Sequence, residues 1–125
     1  MSNLNNSLLV ILGSAIGGGC RYWISTWIQQ QTTTKFPIGT FTINIIGCLA
    51  IGIFVSITDK NIETQSKLLL LLATGFCGGF TTFSAFALEN INLLKNGWNT
   101  MSLLYILLSV MIGILAVKVG LSIFK

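Results

Sequence analysis

No charged residue occurs in three long stretches of this chain, residues 36–58, 68–88 and 96–117, and a fourth, residues 8–28, contains only Arg21. Each stretch reaches the roughly 20 residues that an α-helix needs to cross about 30 Å of hydrocarbon. With 125 residues, 8% of them charged, the chain cannot cover a water-facing surface with polar side chains. A soluble fold is excluded. The pattern predicts an all-α membrane protein, a single domain over residues 1–125, with four transmembrane helices at about 8–29, 36–58, 68–94 and 100–124.

The first stretch does not read as a cleaved leader. Residues 1–7 carry no Lys or Arg, and the apolar run ends in Gly17-Gly18-Gly19-Cys20-Arg21-Tyr22. Cys20, Cys48 and Cys77 all fall inside spans; with no histidine and no Cys-x-x-Cys pair, they read as small packing residues rather than redox or metal groups. The net charge of +4 comes from basic residues scattered singly along the chain, which reads as loop charge facing lipid headgroups and argues against a nucleic-acid partner.

Four spans put Lys60, Lys67, Lys125 and the slightly submerged Lys118 on one side, against Lys35, Lys95 and the submerged Arg21 on the other. The difference, about one charge, is too small for the positive-inside rule to fix an orientation. Copies inserted both ways up are then available to pair as an antiparallel, dual-topology homodimer. Four helices leave little room for a pathway among them, which also favours a second copy. The small-residue faces Gly13/Gly17 and Ala116/Gly120 allow close helix approach, either between copies or within one subunit.

Chemistry concentrates in Gly75-Phe76-Cys77-Gly78-Gly79-Phe80-Thr81-Thr82-Phe83-Ser84-Ala85-Phe86, at the middle of the third span. Paired glycines followed by paired threonines weaken a helix. At membrane depth a broken helix is tolerated only where its freed backbone groups meet protein or an ion pathway. A glycine-lined packing crossing is the plainer alternative. Phe83 and Phe86 share a face of the helix after the break, either as core or as ring edges, whose positive rim attracts a small hard anion. Thr40 and Asn44 lie one turn apart in the second span; the Asn44 amide donates either to an anion or to a neighbouring helix. Ser102, Tyr105 and Ser109 form a hydroxyl stripe in the fourth span, lining a pathway or bonding back to helix carbonyls. Arg21 reads either as the wall of an anion vestibule or as an interface anchor. Glu89, the one acid inside a span, is placed toward the far end of the third, so no span centre is expected to hold a carboxylate.

Together, Gly18-Gly19-Cys20-Arg21-Tyr22, Gly39-Thr40-Phe41-Thr42-Ile43-Asn44-Ile45-Ile46-Gly47 and the run from Gly75 to Phe86 resemble the CrcB/Fluc family of fluoride channels, in order and spacing and over essentially the whole chain. One departure is Ala85, where the family often has Thr. The resemblance implies an antiparallel dual-topology homodimer in the plasma membrane, with two pores passing F⁻ passively out of the cell and so protecting it from fluoride. It implies a structural Na⁺ at the dimer interface, held by the backbone carbonyls of Gly78 and Thr81. It also implies an anion pathway through Phe83, Phe86, Asn44, Thr40, Ser84, Tyr105 and Ser109, with Arg21 in the vestibule. The partners implied are fluoride, the bilayer and a second copy, and the protein is expected not to be an enzyme. A proton-coupled small-multidrug antiporter is the main rival; it would need an acid within the membrane to carry the proton. A non-transporting assembly subunit would explain the small-residue faces but not the sequence from Gly78 to Phe86.

Overall fold

The computed structural model describes residues 2–58 and 62–124, with the side chain of Ser2 left aside; Asp59, Lys60 and Lys125, which entered the charge count above, lie outside the described residues. The regular structure among those residues is entirely helical. In chain order they form α1 (Ser2–Gln30), α2 (Ile38–Ile57), α3 (Glu63–Leu69), a π-helical stretch π1 (Leu70–Cys77), α4 (Gly78–Phe80), α5 (Phe83–Lys95) and α6 (Asn99–Ile123). α3 through α5 make one bent span, so four spans are long and apolar enough to cross a bilayer.

Local chemistry sets the ends. α1 starts well before Leu8 because its polar first turns are themselves helical, the Ser7 hydroxyl donating to the Asn3 carbonyl at 2.9 Å. The third span also starts early, at Glu63, where a carboxylate complements the helix dipole and pairs with Lys67 one turn on at 3.0 Å. Pro37 directly precedes α2, where its missing N–H costs nothing. α5 closes on Gly97, whose φ of +79° only glycine adopts readily; the Trp98 N–H then reaches the Leu93 carbonyl at 2.9 Å and the chain turns into α6.

Glycines set which helices touch. α1 lies against π1 so closely that a methyl at Gly13 would meet the Leu71 carbonyl, and one at Gly17 the Phe76 carbonyl. α2 and α6 cross at Gly52 and Gly120, where added methyls would meet the Val117 and Leu49 carbonyls. The Gly13/Gly17 face and Gly120 are therefore used inside one subunit, and the support they lent to a second copy falls away. Ile43 and Tyr105 fill the centre, with Phe80, Cys77, Ala73 and Leu93 buried around them. α6 turns Leu103, Leu107, Ile114 and Leu115 outward, as a lipid-facing helix does.

Candidate functional site

The third span breaks at Thr81 and Thr82, whose backbones are extended (ψ 158° and 120°). The glycines before them were expected to unwind; both are helical. Gly79 serves a different need, since a methyl there would run into the Ser14 carbonyl of α1. Upstream, the chain winds in wide π turns, a rare geometry that recurs at functional sites.

A break in hydrocarbon must find partners for its backbone groups, and here they can be followed one at a time. The Thr82 N–H, which a continuous helix would give to the Gly78 carbonyl, donates instead to Asn44 Oδ1 at 2.8 Å. Asn44 Nδ2 donates to the Thr82 carbonyl at 3.1 Å, so one amide clamps one residue on both sides. The Gly79 carbonyl accepts from Arg21 Nε at 3.1 Å. The Ala85 N–H, which would have served the Thr81 carbonyl, caps α5 by donating to Thr82 Oγ1 at 3.2 Å. Of the carbonyls at the break, those of Gly78 and Thr81 are two whose helical donors bond to side chains instead. Gly78 is exposed on the protomer surface. Thr81 seats its methyl over Gly47, where any side chain would collide with it.

Beside the break lies a cavity of about 270 Å³ lined by Asn44, Cys48, Thr81, Thr82, Phe83, Phe86, Ser109 and Val110. It brings together four of the expected pathway residues, Asn44, Phe83, Phe86 and Ser109. Cys48, read from sequence as a packing residue, also borders it. Several hydroxyls in these helices bond back to a carbonyl about one turn earlier, as Ser25, Ser56 and Thr81 do. Ser109 does not: its Oγ is buried and, among the described residues, has no hydrogen-bond partner. An unpaired buried donor is costly, so its place in a cavity wall is informative.

The rings continue away from this cavity. Phe83 and Phe86 stand 5.7 Å apart, Phe86 meets Tyr105 edge-on at 4.9 Å, and Tyr105 meets Phe36 at 5.2 Å. Tyr105 leads to a residue that sequence reasoning left out of the site. Glu89 lies toward the far end of the third span, as expected, yet at the middle of α5 it accepts from Thr40 Oγ1 at 2.5 Å and from the Tyr105 hydroxyl at 2.7 Å. Two cavities of about 390 and 340 Å³ converge on it, one edged by Gln29, Lys35, Asn92 and Asn96, the other by Ser25, Thr26, Gln29 and Thr40. The cue in the sequence was its register: Glu89 follows Phe86 by three residues and so shares its side of the helix.

Two expected site residues stand apart. Ser84 is exposed, 3.4 Å from Thr82 Oγ1 and off the cavity wall. Arg21 reaches the break through the Gly79 carbonyl, closing the helix end there.

A family model described as CrcB-like protein, Camphor Resistance (CrcB), matches residues 8–121. A protein of Phocaeicola vulgatus named fluoride-specific ion channel FluC is 44% identical over 117 residues, 94% of this chain and 96% of its own. Proteins of the same name from Chloroflexus aurantiacus (41% identical; 94% of this chain, 93% of its own) and Flavobacterium psychrophilum (43%; 93% and 94%) are similar over as much of their length.

Proposed function

Because the chain belongs to the CrcB family, whose relatives are fluoride-specific ion channels, we propose that it conducts fluoride passively across the plasma membrane, with the cavity at the broken third span as part of the pathway. The observation that carries this is the convergence on that cavity of two phenyl rings, the Asn44 amide and the unpartnered Ser109 hydroxyl. Fluoride holds its water tightly, so a dry pore must offer replacement donors. Ring edges and uncharged donors attract an anion without trapping it, and conduction needs binding weak enough to reverse. Asn44 keeps one N–H beyond its bond to Thr82.

Glu89 sets a second condition. Its carboxylate holds the Thr40 and Tyr105 hydroxyls, so an anion entering from the Gln29–Lys35 side competes with Glu89 for those donors. That competition keeps the site shallow. Glu89 holds two hydroxyls, and family membership is what argues against a proton-coupled antiporter. Export follows from the potential: HF enters uncharged and ionises inside, and each F⁻ is then driven outward by about 2.3 kcal/mol per 100 mV.

The pathway is completed by a second copy in antiparallel orientation. Phe83 is 79% exposed on the protomer and Gly78 is exposed as well, within a span where bare backbone is not tolerated. The Gly78 and Thr81 carbonyls suit a hard cation such as Na⁺, which takes oxygen ligands, since the N–H groups that would have occupied them bond elsewhere. Bound there, the ion would tie the two breaks together.

Fluoride-electrode efflux from liposomes containing the purified protein tests the function. The expected result is fluoride efflux that carries current and needs no proton gradient; proton-coupled exchange, or no efflux at all, would overturn it.

A further inference from the structure

One buried polar pair is unused by the proposed pathway. Asn90 is 6% exposed and Ser102 1%, the former on α5 and the latter on α6. The Ser102 hydroxyl donates to Asn90 Oδ1 at 2.8 Å, and Asn90 Nδ2 donates to the Phe86 carbonyl at 2.9 Å. The Ser102 hydroxyl and both ends of the Asn90 amide have partners, yet both side chains are out of water, where polar groups carry a desolvation cost.

The placement explains the choice. Asn90 follows Phe86 by one turn of α5, and Ser102 precedes Tyr105 by one turn of α6. The Asn90–Ser102 bridge therefore runs beside the Phe86–Tyr105 ring contact, 4.9 Å between centroids, as a second link across the same seam. A greasy seam permits sliding by small steps; a directional bond with no competing water fixes one register. Resting on the fluoride-channel reading, we infer that Asn90 and Ser102 are positioning residues: they hold α5 against α6 so that the Phe86 ring and the Tyr105 hydroxyl keep the spacing the anion needs. Neither touches the ion.

Hydrogen bonds between membrane helices add little stability, so this role separates from a scaffold role. Fluoride efflux, the fluoride-to-chloride permeability ratio, thermal midpoint and gel-filtration elution are measured for wild type, Ser102→Ala, Ser102→Thr, Tyr105→Phe and Ser102→Ala/Tyr105→Phe. Ser102→Ala is expected to slow fluoride efflux roughly tenfold and lower the permeability ratio, the size of effect coupled neighbours show, with midpoint and elution unchanged. Ser102→Thr restores both, and the double variant loses no more than Tyr105→Phe alone. Should Ser102→Ala fail to fold, Ser102→Cys, with its weaker donor, is read against the same outcomes. Wild-type efflux and selectivity in Ser102→Ala, or losses that multiply in the double variant, overturn the positioning role while leaving the channel reading intact. A wild type that passes no fluoride removes the reading beneath it.

Discussion

Phe83 and Phe86 open α5 with their rings 5.7 Å apart and no cationic side chain on the cavity they border. If ring edges help carry the anion, replacing either with an aliphatic residue of similar bulk should slow ions without loosening the fold. If an edge contact to the anion is worth about what ring–ring contacts are, about 0.5–1.5 kcal/mol, Phe83→Ile and Phe86→Ile are each expected to lower fluoride efflux by roughly twofold to tenfold, with unchanged elution. Unaltered efflux in both removes the rings from the pathway. Glu89 gives the complementary case. Hydrogen bonds to a charged acceptor are worth about 1.5–3 kcal/mol and neutral ones about 0.5–1.5, so Glu89→Gln loosens the hold on Thr40 and Tyr105 and deepens the anion site. Efflux measured against fluoride concentration should saturate earlier and at a lower maximum; an unchanged curve would place Glu89 off the path. Residue roles were legible only where the residue type is odd for its surroundings. An amide in hydrocarbon marked Asn44, whereas nothing in the string separates Ser109, which has no partner among the described residues, from serines that bond back to their own helix.

The third span owes its shape to two residue types and one backbone geometry. Glycines admit α1, wide turns carry the chain past it, and threonines extend the backbone where Asn44 and Arg21 are ready to receive it. A break near the middle was readable from the glycine and threonine pairs; its register was not, because the glycines answer to a neighbouring helix that sequence places nowhere. The π turns left no composition signal at all. Close approach can be tested by a matched pair. A methyl at Gly17 meets the Phe76 carbonyl, while at Gly18 the nearest atom is the Gly79 carbonyl at 4.0 Å. Backbone cannot swing aside as a side chain can, so Gly17→Ala should cost about 1–3 kcal/mol and lower the thermal midpoint, with Gly18→Ala close to wild type. Equal midpoints for the two would mean that α1 does not seat against π1 as described.

At the scale of the whole molecule, four spans were plain from where charges are missing, since hydrocarbon excludes them whatever the packing. How many copies assemble is decided by surfaces that sequence cannot show. The protomer leaves Thr74, Gly78, Phe83 and Ser84 of the bent span exposed, and lipid can hydrogen-bond neither a hydroxyl nor backbone. In the proposed antiparallel dimer a second copy would cover this surface, and the Gly78 and Thr81 carbonyls of both copies would face a common centre, their helical donors bonded elsewhere. Four carbonyls pointing together repel one another unless a cation sits among them, which links the assembly to the ion. Purification with Na⁺ rigorously replaced by a bulky organic cation should therefore shift elution toward the monomer and abolish fluoride efflux together, and returning Na⁺ should restore both. Dimers that persist and conduct without Na⁺ would show that this surface is covered by protein contacts alone. Loss of efflux from an intact dimer would instead place the ion in the pathway rather than at the seam.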